Sequence, residues 1–246
     1  MIIKKSVWFL LACSLQQVAA ADDWLYYGGD AGGSRFSSAK QINRDNVKKL
    51  TEAWSFRTGI IEQHGDLGPA VSFHATPVLL PEAAGGHLVV CTPLNWIIAL
   101  DPATGEERWR YDPDVNKVPL GPARFNCRGV TPWQDPLAEA DAACAWRLFM
   151  GTTDRRLVSI DARSGKACVD FGDGGIVDIN PHIKESGPRP ESLNVQFSSP
   201  PAVIDGVVVL GSNNNAKFRD ASAPSGVIRA FDARTGAMRW TFDTLI

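Results

Sequence analysis

The sequence of 246 residues is 44% hydrophobic and carries 25 basic against 27 acidic side chains, a net charge of -2. That is enough apolar material for a sizeable core, and a charge balance with no basic surplus and no block of like charge speaks against a nucleic-acid-binding protein or a charged tail. With 22 glycines, 16 prolines and 8 tryptophans the composition suits a turn-rich β protein better than a helical one.

The chain begins with an address. Lys4 and Lys5 precede the apolar run from Val7 to Leu15, and Val18-Ala19-Ala20-Ala21 offers small residues for cleavage before Asp22. The run is too short to span a bilayer. The expectation is a signal peptide over 1–21 and a mature chain over 22–246 outside the cytoplasm. Leu10-Leu11-Ala12-Cys13 also fits a loose lipoprotein box, with Cys13 as the lipidated residue. Farther on, Asn43 to Leu50 is the only stretch that reads as helical.

The rest is written in one repeated pattern of strand, turn and strand. Ile97-Ile98-Ala99-Leu100-Asp101-Pro102-Ala103-Thr104-Gly105 leads on to Trp109. Leu157 to Cys168 repeats it with Ser164-Gly165 in the turn and no tryptophan. The fullest copy is Val227 to Asp243, with Asp232-Ala233-Arg234-Thr235-Gly236 as the turn and Trp240 in the second strand. Asp accepts hydrogen bonds from amides two residues on, and Gly takes the left-handed conformation that closes the turn. Val227 to Phe231 alternates apolar and polar in its middle, as a half-buried strand does. The aspartates are spaced by 60 residues (161 minus 101) and 71 (232 minus 161), about one four-stranded sheet plus loops. The pattern predicts an all-β chain, a partial β-propeller of four-stranded antiparallel blades in which each tryptophan docks between neighbours.

If Cys13 leaves with the signal, Cys91, Cys127, Cys144 and Cys168 remain. An even count in an oxidising compartment favours disulfides, and of the three pairings the loop between Cys127 and Cys144 favours that pair. No Cys-x-x-Cys or clustered histidine supports a metal site built on the cysteines.

Several strings carry a resemblance. They are Trp24-Leu25-Tyr26-Tyr27-Gly28-Gly29-Asp30, Ala75-Thr76-Pro77, Cys91-Thr92-Pro93, Cys127-Arg128-Gly129-Val130, Thr152-Thr153-Asp154-Arg155-Arg156-Leu157, Ser199-Pro200-Pro201 and Ser225-Gly226-Val227-Ile228-Arg229-Ala230-Phe231-Asp232. From residue 23 to 243 the chain resembles the dehydrogenases that depend on pyrroloquinoline quinone (PQQ), built as eight-bladed propellers. The Cys-Arg-Gly-Val and Ser-Gly-Val-Ile-Arg strings resemble the glucose, quinate and shikimate branch. The adjacent cysteines of the methanol dehydrogenase branch are absent.

The resemblance implies PQQ and calcium as cofactors. PQQ is a flat tricarboxylate with an ortho-quinone, so its site needs cations and polar groups at the rim, and calcium needs hard oxygen ligands. Arg128 matches the family arginine that contacts the quinone oxygens, and Thr152 matches a threonine on the cofactor rim. His74 stands where the family commonly has Glu before x-Thr-Pro. Arg124 stands where the glucose branch often has His. Gly211 to Ala216 occupies the place of the calcium-ligand loop, where Asn214 and Asn215 offer amide oxygens but no carboxylate.

Three or four copies of the repeat make about half of an eight-bladed ring, and the family's catalytic aspartate comes from later blades. No catalytic base is therefore named here. The expectation is an incomplete site, inactive alone, with a complementing C-terminal half as a candidate partner. Two functions are in view. One is the N-terminal part of a periplasmic dehydrogenase, free or membrane-associated, that oxidises a sugar or cyclic polyol and passes electrons to membrane quinone. The other is a non-enzymatic propeller scaffold like the lipoproteins of outer-membrane assembly, which share the Ala-x-Asp-x-x-Thr-Gly-x-x-x-Trp repeat.

Overall fold

The computed structural model describes residues 24–117, 125–183, 195–214 and 226–244. The expected signal segment, residues 1–21 with Cys13, lies outside them. Strands β1 (Val78–Leu79), β2 (Leu88–Cys91), β3 (Ile97–Leu100) and β4 (Glu107–Tyr111) form a first antiparallel sheet in sequence order. A second sheet follows from β5 (Thr131–Gln134), β6 (Trp146–Gly151), β7 (Arg156–Asp161) and β8 (Ile176–Asp178). After β9 (Val195–Gln196) come β10 (Ala202–Ile204), β11 (Val207–Leu210) and β12 (Asn213–Asn214), then β13 (Ile228–Asp232) and β14 (Met238–Phe242). The third sheet takes the order β10-β11-β13-β14, and β12 pairs with β9. Four-stranded meanders in succession are the blades expected of a propeller.

Each repeat closes as its residues predict. Asp232 Oδ1 accepts hydrogen bonds from the amides of Arg234 (3.0 Å) and Thr235 (2.9 Å), and Gly236 N–H returns to Asp232 O at 2.9 Å. Asp101 and Asp161 make the same set with Ala103 and Thr104, and with Arg163 and Ser164. The three glycines sit at φ of 74°, 69° and 71°. Arg108 beside Asp101 holds its carboxyl down to about 2. Burial works against ionisation of Asp232, yet the Thr235 amide and Arg239 bring it down to about 2 as well.

The tryptophans dock as expected. A Cβ added to Gly105 would lie 2.5 Å from the Trp54 ring, and one added to Gly165 would lie 2.5 Å from Trp109. Each indole thus lies flat on the turn of the next sheet, where only hydrogen fits. The second repeat has Val169 where a tryptophan would stand, and Val177 and Gly172 cover Gly236 instead. Trp240 is 46% exposed.

The alternation read in Val227 to Phe231 needs correcting. Sheets stack on both faces, so the middle strands are buried on both: Ile97 and Ala99 of β3 face the second sheet, while Ile98 and Leu100 face the segment around Ile60 and Leu67. In β6, Leu148 and Met150 pack toward the first sheet and Phe149 toward the third. A side chain such as Phe149 or Phe231, removed fully from water, contributes about 1.5–3 kcal/mol. In β13 the polar member Arg229 is itself buried, at 2% exposure.

The disulfide pairing also differs from the expectation. The bonds join Cys91 to Cys127 and Cys144 to Cys168, with Cα separations of 6.0 and 5.9 Å. Cys127 and Cys144 cannot meet, because they belong to core clusters on opposite faces of the second sheet. Among the described residues helix is confined to short segments of three to six residues. Val47–Lys49, within the stretch read as helical, is a 3-10 turn, and the α-turn Ile60–Gln63 was not legible in the sequence.

Candidate functional site

The segments that lead into the three sheets lie side by side. Thr76 N–H donates to Arg128 O (2.9 Å), and Arg128 N–H donates to Ser198 O (2.8 Å), so one ladder joins the approach to β1, β5 and β10. Val71 and Phe125 extend it as a parallel bridge. The Cys91–Cys127 bond fastens the residue before Arg128 to the end of β2. Arg128 therefore rises from a backbone held on three sides.

Its guanidinium is half-buried. Nη1 donates to Ser198 Oγ (3.2 Å) and Ser199 Oγ (3.3 Å). Among the described residues Arg128 forms no ion pair, whereas Arg108, Arg110, Arg147, Arg156, Arg234 and Arg239 each hold a carboxylate. The two serines, with Pro200, Gly211, Ser212 and Asn213, line a cavity of about 150 Å³ whose described lining contains no carboxylate. The site thus offers hydroxyl and amide groups and a cation without a counter-ion, which suits an anionic or strongly polar edge.

The other residues singled out in the sequence take different positions. Thr152 is fully buried, and its hydroxyl donates to Asp154 Oδ1 (2.5 Å) and accepts Arg156 N–H (2.9 Å). Its carbonyl accepts Phe197 N–H at 3.2 Å, which places the turn against the segment after β9 that carries Ser198. His74 is exposed, with Nε2 2.8 Å from Ser72 Oγ, two residues before the ladder at Thr76. Asn214 is placed by its backbone pairing with Val195. Asn215 and Arg124 lie outside the described residues.

The structure brings in Ser198, Ser199, Ser212 and Asn213, which sequence reasoning did not single out. Ser199-Pro200-Pro201 was legible as a family string, but nothing local places it beside residues 70 positions away. Among the described residues the one group of metal-ligating types, Cys144, Cys168 and Asp170, is built on a disulfide and so lacks free thiolates. No helix among these residues is long and apolar enough to cross a membrane.

Both the sequence and the fold have known relatives. Residues 24–246 match the PQQ family model described as glucose/ethanol/alcohol dehydrogenase, β-propeller domain. The chain is 36% identical over 229 residues to the quinoprotein glucose dehydrogenase of Escherichia coli (strain K12), covering 91% of this chain and 27% of that protein. It is 36% identical over 236 residues to the quinate/shikimate dehydrogenase (quinone) of Acinetobacter baylyi, covering 90% and 27%. Among solved structures, the quinohemoprotein alcohol dehydrogenase from Comamonas testosteroni superposes with a TM-score of 0.68 at 27% identity, over 92% of this chain and 28% of that one. A europium-containing methanol dehydrogenase shares the fold, at TM-score 0.63 and 21% identity over 90% and 32% of the two chains. The chain spans little more than a quarter of the length of the curated relatives cited.

Proposed function

On the premise that the chain belongs to the PQQ-dependent glucose/ethanol/alcohol dehydrogenase β-propeller family, we propose that it forms one edge of the cofactor site of a periplasmic dehydrogenase that oxidises a sugar or cyclic polyol and passes electrons to membrane quinone. The observation that carries this reading is Arg128. It is fastened by the ladder and the Cys91–Cys127 bond, and its guanidinium donates to two serines that line the cavity, its only side-chain acceptors among the described residues.

PQQ, when bound with calcium, supplies the ortho-quinone that accepts hydride from the substrate carbon. The residues present fit its anionic rim: Arg128 would hold quinone oxygens, Ser212 and Asn213 border the same cavity, and Arg124 and His74 would complete the polar edge. Asn214 and Asn215 would offer amide oxygens to calcium. Thr152 would have to turn its hydroxyl away from Asp154 to reach a ligand. No catalytic base is assigned to these residues, and the chain alone is expected not to turn over. We further propose that residues 1–21 are an export signal, which N-terminal sequencing of periplasmic material would check by finding Asp22 first.

The test is titration of the purified protein with PQQ in the presence of calcium, followed by tryptophan fluorescence. Saturable quenching that Arg128→Ala weakens at least about tenfold is expected. Equal binding by both proteins, or none by either, would overturn the assignment of Arg128. Glucose oxidation by this chain alone would overturn the absence of a base.

A further inference from the structure

In the first two repeats the residue three before the turn aspartate is Ile98 and Val158, both fully buried. In the third it is Arg229, at the same depth. An arginine in a place that two sister strands fill with a hydrocarbon is costly, since its charge is taken from water. Burial pushes its pKa down, with Asp243 pulling the other way by Coulombic attraction. The contacts indicate what the charge is for.

The guanidinium holds both ends of the connection between β11 and β13. Nη1 lies 3.3 Å from Ser212 Oγ, just after β11, and 3.1 Å from Val227 O, just before β13. Ser212 Oγ donates to the same Val227 carbonyl at 2.7 Å. Nη2 donates to His182 O (2.9 Å), on the segment that leaves the second sheet. The corresponding turns of the other sheets need no such clamp, because they are tight: Asn95 N–H bonds Thr92 O, and Arg155 N–H bonds Thr152 O. Ser212 is also a wall of the cavity that Arg128 borders through Ser198 and Ser199.

We propose that Arg229 is a positioning residue, a buried fork that clamps the two ends of the connection from β11 to β13 and so holds Ser212 and Asn213 in place on the wall of the cavity that Ser198 and Ser199 also line. Ligand affinity at the cavity then depends on a guanidinium that does not touch the ligand. The effect on affinity rests on the reading of the cavity as the PQQ edge; the clamp itself does not.

The experiment compares Arg229→Met, Arg229→Lys, Ser212→Ala and the Ser212→Ala/Arg229→Met double variant. Hydrogen exchange of the ligand-free protein reads the clamp. Arg229→Met should speed exchange at residues 211–213 about tenfold while β2 and β6 stay protected, and Arg229→Lys should recover only part, since an ammonium cannot span the three acceptors as a planar fork does. PQQ titration with calcium reads the consequence. Arg229→Met is expected to weaken binding about tenfold, and adding Ser212→Ala to cost little more, because both changes break one linkage. Wild-type exchange at 211–213 in a folded Arg229→Met or, should that variant not fold, in Ser212→Ala, would overturn the clamp. Protection lost with PQQ affinity unchanged would overturn the link to ligand. If the wild-type protein bound no PQQ, the cofactor reading and the affinity effect would fall together, and the exchange result would still decide the clamp.

Discussion

Gly165, in the turn of the second sheet, lies directly beneath the indole of Trp109 from the first: a Cβ there would fall 2.5 Å from Cε3 and 2.7 Å from Cδ2 of the ring. Gly105 and Trp54 repeat the relationship one step earlier. Blade follows blade because a flat ring covers a turn that has no side chain of its own, and the same glycine is needed at positive φ to close that turn. One residue therefore serves a local and a long-range demand.

Gly165→Ala is expected to cost roughly 2 kcal/mol or more in urea unfolding, combining left-handed strain of about 1 kcal/mol with displacement of the ring. Gly174→Ala is the control. Gly174 also has positive φ, 60°, but an added Cβ would meet nothing within 4 Å. It should lose only the strain, and equal costs for the two would refute the seating argument.

Asn95 is fully buried at φ 62°, and its Oδ1 accepts both the N–H and the Oγ1 of Thr153 in the next sheet, each at 3.0 Å. Asn95→Ala should destabilise by roughly 2 to 3 kcal/mol, since it strands a buried amide and places a Cβ residue in the left-handed region. Asn95→Gly should cost about 1 kcal/mol less, because it removes the strain and keeps the lost bonds. Chemical denaturation of the pair separates the two contributions.

Asp101 and Asp232 both titrate near 2, against an ordinary value of 3.8. A carboxyl whose pKa is lowered by folding stabilises the fold above its unfolded value and loses that contribution as pH falls through its folded one. The Tm should therefore hold steady above pH about 4 and decline from there toward pH 2. Asp232→Asn should flatten part of that decline; an unchanged slope in this variant and in Asp101→Asn would exclude the turns as its source.

Peptide mapping without reduction should recover Cys91 linked to Cys127 and Cys144 linked to Cys168. A Cys127–Cys144 peptide would contradict the packing. Replacing Cys144 and Cys168 together by serine should lower stability by about 3 kcal/mol, the usual worth of a crosslink closing a loop of this size.

Arg128→Lys keeps the charge but not the planar fork that Ser198 and Ser199 share with a ligand. PQQ affinity should fall about tenfold at unchanged Tm. A loss of Tm equal to that of Gly165→Ala would instead make Arg128 a structural element of the ladder.

Much of the fold was legible locally. Asp-x-x-Thr/Ser-Gly is a turn whose hydrogen bonds all lie within five residues, so its three copies, their spacing and a tryptophan that docks between neighbours follow from the sequence and predict an all-β propeller of four-stranded blades, while the glycine each indole covers was shown by the fold. The family strings around Arg128 pointed to the correct branch of dehydrogenases for the same reason: they are contiguous. What depends on residues meeting from far apart was not legible. The cysteines were paired by the loop between them, whereas the chain separates Cys127 and Cys144 by placing them on opposite faces of one sheet. Arg229 read as the solvent side of a half-buried strand, whereas stacking on both faces buries it, and only the fold reveals the serines gathered around Arg128 or the clamp on Ser212. Turn chemistry is a property of neighbouring residues, while burial and pairing are properties of the packed sheets, so the sequence by itself determined the blades and the family, and the tertiary structure alone decided which side chains share the cavity.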